Sequence, residues 1–98
     1  MHFFNKNMPR ISDFYNIVIW MYWNDHEPPH FHAEYKEHEV LIEIEPLFEE
    51  QYVIYAGSLP SRALGLVKEW AFLHKTELRD NWETCRRGKP PVPIQPLD

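Results

Sequence analysis

The sequence predicts one α+β domain, a small antiparallel sheet followed by a helical segment, and three observations carry that reading. Apolar residues cluster in short β-branched and aromatic runs before residue 55. They recur every three or four positions from about 60 to 87. Proline and glycine separate the two regimes. With 98 residues the chain has the length of a single domain. A chain of that length buries somewhat more than roughly 60% of its unfolded surface.

Taken in order, residues 1–8 read as an N-terminal extension, 9–88 as the domain and 89–98 as a Pro-rich arm. Ile17 to Trp23 is a continuous apolar run of strand length, apolar on both faces and bounded by Asn24-Asp25. Pro28-Pro29 interrupts regular pairing and sets an extended connection. Phe31 to Tyr35 forms a second strand and Glu39 to Glu45 a third, with Val40, Ile42 and Ile44 on its dry face. Gln51 to Tyr55 completes a sheet of about four strands over 17–55, closed by Gly57-Ser58.

Ser58-Leu59-Pro60 has the form of a helix start, a capping hydroxyl followed by proline. Ala63, Val67, Trp70, His74, Leu78, Trp82 and Cys85 then mark one apolar face of an amphipathic helical segment over 60–87. Gly88 suits its C-terminal cap. Thr76 offers a cap for a second helix, and with it a kink near 74–77. Pro90, Pro91, Pro93 and Pro96 make the last residues an extended arm that lays Ile94 and Leu97 on the domain, with a ligand for a proline-recognising groove as the alternative.

Composition bounds the functional classes. Net charge is −5, and it is unevenly spread. Residues 1–55 hold three Lys/Arg against ten Asp/Glu, and residues 56–98 hold seven against five. An acidic chain is poorly suited to non-specific nucleic-acid binding, which needs many phosphate contacts. Cys85 is the single cysteine, so no internal disulfide forms. No apolar run approaches the roughly 20 residues of a membrane span, and the N-terminus lacks a signal peptide's pattern. The cytoplasm is the expected compartment.

Chemistry concentrates in Asp25 to His38. His26, His30, His32 and His38 are four of the six histidines. With Lys36-Glu37 as a two-residue loop, Glu34 faces Glu39, His32 faces Leu41 and His30 faces Glu43. That register gathers Phe31, Ala33, Val40 and Ile42 on the core face and leaves His30 and His32 together on the other. Three readings compete. His30 and His32, completed by His26, Asp25 or Glu43, have the donor types for zinc or another divalent transition ion. The same imidazoles, one oriented by Glu43, could instead do metal-free acid–base work on RNA, although no local lysine or arginine steadies a phosphate. Or the segment is a polar turn satisfying its own backbone. His74 reads as a satisfied seam histidine, with a fourth ligand as its alternative role, and Cys85 as a small buried hydrophobe.

Met8-Pro9-x-Ile11, Phe14-Tyr15-x-Ile17-x-Ile19-x-Met21-Tyr22 and Asn24-Asp25-His26-x-Pro28-Pro29-His30-Phe31-His32-x-x-Tyr35 together carry a resemblance. Gly57-Ser58-Leu59-Pro60-x-Arg62-Ala63-Leu64, Val67-x-Glu69-Trp70, Leu73-His74, Glu77-Leu78, Asn81-Trp82 and Ile94-x-Pro96-Leu97 extend it. The chain resembles a bacterial family of short proteins catalogued as domain of unknown function 4160. Asn16 and Lys36 depart from it, standing where glycine is expected, and the residues before Met8 have no counterpart. The resemblance implies a component of a toxin–antitoxin-like gene pair, with a small protein partner encoded nearby and RNA as a further possibility. On this view His30 and His32 are the functional centre, and the aromatic helix or the Pro-rich tail binds the partner. A zinc-type metal domain and a metal-free ribonuclease using His30, His32 and Glu43 are the alternatives.

Overall fold

The computed structural model describes residues 9–98, so the expected extension at 1–8 lies outside the described residues. Five strands follow one another: β1 (Arg10–Phe14), β2 (Ile17–Trp20), β3 (His30–Tyr35), β4 (His38–Glu43) and β5 (Ile54–Gly57). Each pairs antiparallel with the next, in the spatial order β1-β2-β3-β4-β5. A short 3-10 helix, Glu45–Glu49, joins β4 to β5. Two helices follow, α1 (Ser61–Leu73) and α2 (Lys75–Arg86). The α+β class holds, and the described residues form a sheet of five strands rather than four.

The added strand is β1. Its five residues alternate poorly, with a bulge between Arg10 and Ser12, so periodicity alone did not reveal it. The turn that joins β1 to β2 uses Tyr15 and Asn16, both at positive φ (51° and 63°). Two successive left-handed residues let a tight hairpin follow the strand twist, and asparagine tolerates that region better than most residues. Lys36, opening the β3–β4 turn, is left-handed as well, at φ 54°. These are the two positions where the sequence departs from an expected glycine, and the backbone shows why glycine suits them.

The β3–β4 register is the expected one: Glu34 opposite Glu39, His32 opposite Leu41 and His30 opposite Glu43. Phe31, Ala33, Val40 and Ile42 are buried on the core face, joined by Ile17 and Ile19 of β2. Both helices contribute to this core, α1 through Ala63, Val67 and Trp70 and α2 through Leu78, Trp82 and Cys85. The Trp70 ring lies 5.4 Å from Phe14 and 6.0 Å from Phe31.

Several boundaries move. The first apolar run ends as a strand at Trp20, because Met21 to Pro29 turns away as a loop. The 60–87 segment is two helices parted at His74, which ends α1 and precedes α2. Neither Ser58 nor Thr76 caps a helix: Pro60 and His74 occupy the N-cap positions without a side-chain hydrogen bond. Gly88 follows the end of α2 at φ 73°, and its N–H donates to the Cys85 carbonyl. Residues 89–98 carry no regular element. Asn81 brackets Val92 through two 2.8 Å hydrogen bonds, the Ile94 N–H donates to the Ile11 carbonyl at 2.8 Å, and Trp70 Nε1–H donates to the Gln95 carbonyl. No helix among the described residues is long and apolar enough to cross a membrane.

Candidate metal centre

The loop Met21–Pro29 sets the site. Its ends are fixed by backbone hydrogen bonds, Met21 N–H to the Pro9 carbonyl and Ile44 N–H to the Pro29 carbonyl. Its middle is tied to α2 by Asn24 N–H to the Cys85 carbonyl and by the Arg86–Glu27 ion pair at 3.1 Å. Asn24 takes a left-handed φ of 53°. Within this fixed frame the Asp25 carboxylate lies beside the start of β3, its side chain only 11% exposed.

Three imidazoles surround that carboxylate. His30 Nε2 is 3.0 Å and His32 Nε2 is 3.3 Å from Asp25 Oδ2, and His26 Nε2 is 3.7 Å from Oδ1. Asp25 Oδ1 also accepts the His26 backbone N–H at 2.8 Å. The side chain of His26 is 62% exposed, whereas that of His30 is fully buried. The donor atoms of Asp25, His26 and His30 all lie within 4.8 Å of one another.

Proton positions follow from the partners. His30 Nδ1 is 2.7 Å from the Pro28 carbonyl oxygen, which only accepts, so Nδ1 carries the hydrogen. In the neutral ring Nε2 then presents a lone pair. This nitrogen is buried and makes no hydrogen bond among the described residues: it stands at ion-pair distance from Asp25 Oδ2 but out of line for a hydrogen bond. A lone pair facing a carboxylate in a dry place is unfavourable unless positive charge offsets it, either a second proton on the ring or a metal ion beside both atoms.

His32 has a different part. Its Nδ1 is 3.0 Å from Glu39 Oε2 while its Nε2 meets Asp25, so the ring is held between two carboxylates. Trp20, its cross-strand neighbour, stacks on it at 3.9 Å, and Tyr22 packs edge-on at 5.1 Å. Burial pushes the His32 imidazole below the usual histidine range, the hydrogen bonds to Glu39 and Asp25 pull it up, and nearby His30 lowers it again. A neutral ring donates to one carboxylate only, so the second needs another source of positive charge.

The sequence-selected residues therefore divide. Asp25, His26 and His30 converge, and His32 joins them through the shared carboxylate. Glu43 is the cross-strand partner of His30 but makes no hydrogen bond to either imidazole among the described residues; Glu39 takes the orienting position on His32. Glu39 was legible in the register, as the diagonal neighbour of His32 on the same face. His74 stands apart, with its Nδ1 against Glu77 Oε1 and its ring 5.5 Å from Trp70. His38, the first residue of β4 at the far end of the hairpin, is exposed.

Donors that share an ion at about 2.0–2.2 Å stand about 3–3.5 Å apart, and the His30–Asp25 separation of 3.0 Å falls in that range. Each fixed donor has an outer support: His30 through the Pro28 carbonyl, Asp25 through His32 and Glu39. That is how metal-binding proteins orient their ligands.

Comparison with known proteins gives a family and little else. A family model described as a domain of unknown function, DUF4160, matches residues 16–83, a span that holds the whole cluster. No curated protein and no solved structure matches the chain. The chain belongs to the DUF4160 family of domains of unknown function.

Proposed function

We propose that this protein is a transition-metal-binding domain that holds one divalent ion through Asp25, His26 and His30, with His32 and Glu39 positioning Asp25. The observation that carries the reading is the buried Nε2 of His30, which makes no hydrogen bond and stands 3.0 Å from a carboxylate oxygen. Two imidazoles and one carboxylate suit zinc or a neighbouring late first-row ion better than magnesium or calcium, which favour oxygen. Three protein donors leave coordination open for water on the exposed His26 side, as in metal sites that do chemistry. Calorimetric titration of zinc into chelator-treated, tag-free protein tests this. One ion per chain in the parent, and none in a His30→Leu variant that still melts cooperatively, supports it; no heat of binding in the parent removes it.

The metal-free ribonuclease reading needs a cation to hold a phosphate, and Arg86, the arginine tied to this loop, is engaged by Glu27. The toxin–antitoxin-like role implied by the resemblance concerns a protein partner. What supports a partner is the exposed apolar strand β5 rather than the histidine cluster.

A further inference from the structure

The two edges of the sheet are finished differently. Along β1 the arm residue Ile94 donates its N–H to Ile11, so the chain covers that edge itself. At the other end β5 pairs only with β4 among the described residues, and all four of its residues are exposed. Val53, Ile54 and Tyr55 are 39–42% exposed, with Phe48 at 44% nearby in the chain. Gln51 to Leu59 contains no charged residue. Proteins normally blunt an open edge with lysine, proline or a covering element, because its unpaired N–H and C=O groups recruit another strand. β5 is short, with four residues, and its pairing with β4 is irregular between Leu41 and Ile42, but among the described residues no lysine, proline or covering element protects it.

Charge selects what fits there. β5 is flanked by carboxylates: the Glu43 N–H bonds the Val53 carbonyl, the Ser58 N–H bonds the Glu39 carbonyl, and Glu49 and Glu50 lie just before the strand. Glu39 is engaged by His32 and Glu45 by Arg79, while Glu43, Glu49 and Glu50 have no ion pair among the described residues. Among the described residues Lys68 lies over the Tyr52 ring and Lys75 shares a cleft with Glu50, while Lys36 in the β3–β4 turn lies over the Tyr35 ring and offsets its neighbour Glu37. The balance around the strand is acidic. A second copy of this chain would set acidic rim against acidic rim, and a nucleic acid would be repelled.

We infer that β5 is a docking edge for an extended segment of a basic polypeptide, which adds a sixth strand while its flanking lysines or arginines meet Glu43, Glu49 and Glu50. The inference rests on the edge and not on the metal reading; Tyr55 of β5 borders that cluster, its ring 5.4 Å from His30 and 5.8 Å from His26.

The test titrates the full chain with three fluorescent peptides sharing an alternating Val/Thr core: one flanked by lysines, one by glutamates, and one lysine-flanked with proline in the core. The lysine peptide should bind about tenfold more tightly than the glutamate peptide at low salt, with the gap closing in molar salt. It should slow amide exchange at Ile54–Gly57, and the proline peptide should not bind. In a Glu43→Lys/Glu49→Lys variant with unchanged circular dichroism the preference should reverse. Equal binding of the two charged peptides overturns the proposal, as does protection away from β5. So does a concentration-dependent dimer that protects β5 without peptide, or displacement of the lysine peptide by a single-stranded RNA.

Discussion

At the scale of residues, the partners of the ring nitrogens decide what each histidine does. His30 and His32 sit two apart on one strand, yet their surroundings give them separate tasks. His30 has one nitrogen anchored on a carbonyl and the other buried without a hydrogen bond, whereas both nitrogens of His32 reach carboxylates. Replacing each by leucine keeps the interior apolar and separates the tasks. His30→Leu should abolish metal binding, because a direct donor is lost. His32→Leu should weaken it by about 10–100-fold, the usual effect of removing an outer support. Equal losses in the two variants, measured by competition with a chelating dye, would contradict the division. Cys85 gives a simpler check. Burial raises its thiol to about 11, so it should react slowly with a disulfide reagent at mildly alkaline pH and quickly once denaturant unfolds α2. Fast reaction in the native protein would place that side chain at the surface.

At the scale of elements, Gly57 fixes how β5 meets β4. Its φ is 78°, and a Cβ added there would fall on the Glu39 carbonyl oxygen. Gly57→Ala should therefore cost about 1–3 kcal/mol in denaturant unfolding from backbone strain, and more if the clash cannot relax. A neutral effect would mean that the strand ends before residue 57. This scale also shows what the sequence could express. The register of the β3–β4 hairpin was legible, because a one-residue slip would turn Phe31, Ala33, Val40 and Ile42 out of the core, but the second strand ends at Glu43 rather than Glu45, where the 3-10 helix begins. β1 was not, because Ser12 and Asp13 break its alternation and only pairing with β2 makes it a strand. The break at His74 was half legible. The apolar face runs straight through it, so the periodicity reads one helix where the backbone makes two. Asp25 was named as a donor, but its burial beside both histidines depends on a loop held by α2. No local pattern encodes that contact.

At the scale of the whole molecule, the site joins parts distant in sequence: the Met21–Pro29 loop, the start of β3, Glu39 of β4 and the end of α2. An ion bound there links them in the folded state only, so it should stabilise the protein as a unit. Free ion at a hundredfold its dissociation constant should add about 2.7 kcal/mol, on the order of 10 °C in Tm for a domain of this length. An unchanged melting curve at saturating zinc, cobalt and nickel would contradict a native-state site. The most direct measurement is nuclear magnetic resonance of histidine-labelled protein loaded with cadmium-113. The predicted result is a scalar coupling between the cadmium nucleus and Nε2 of His30, with Nδ1 still protonated. A His30 Nε2 resonance that stays uncoupled and unshifted at saturating cadmium would contradict the assignment.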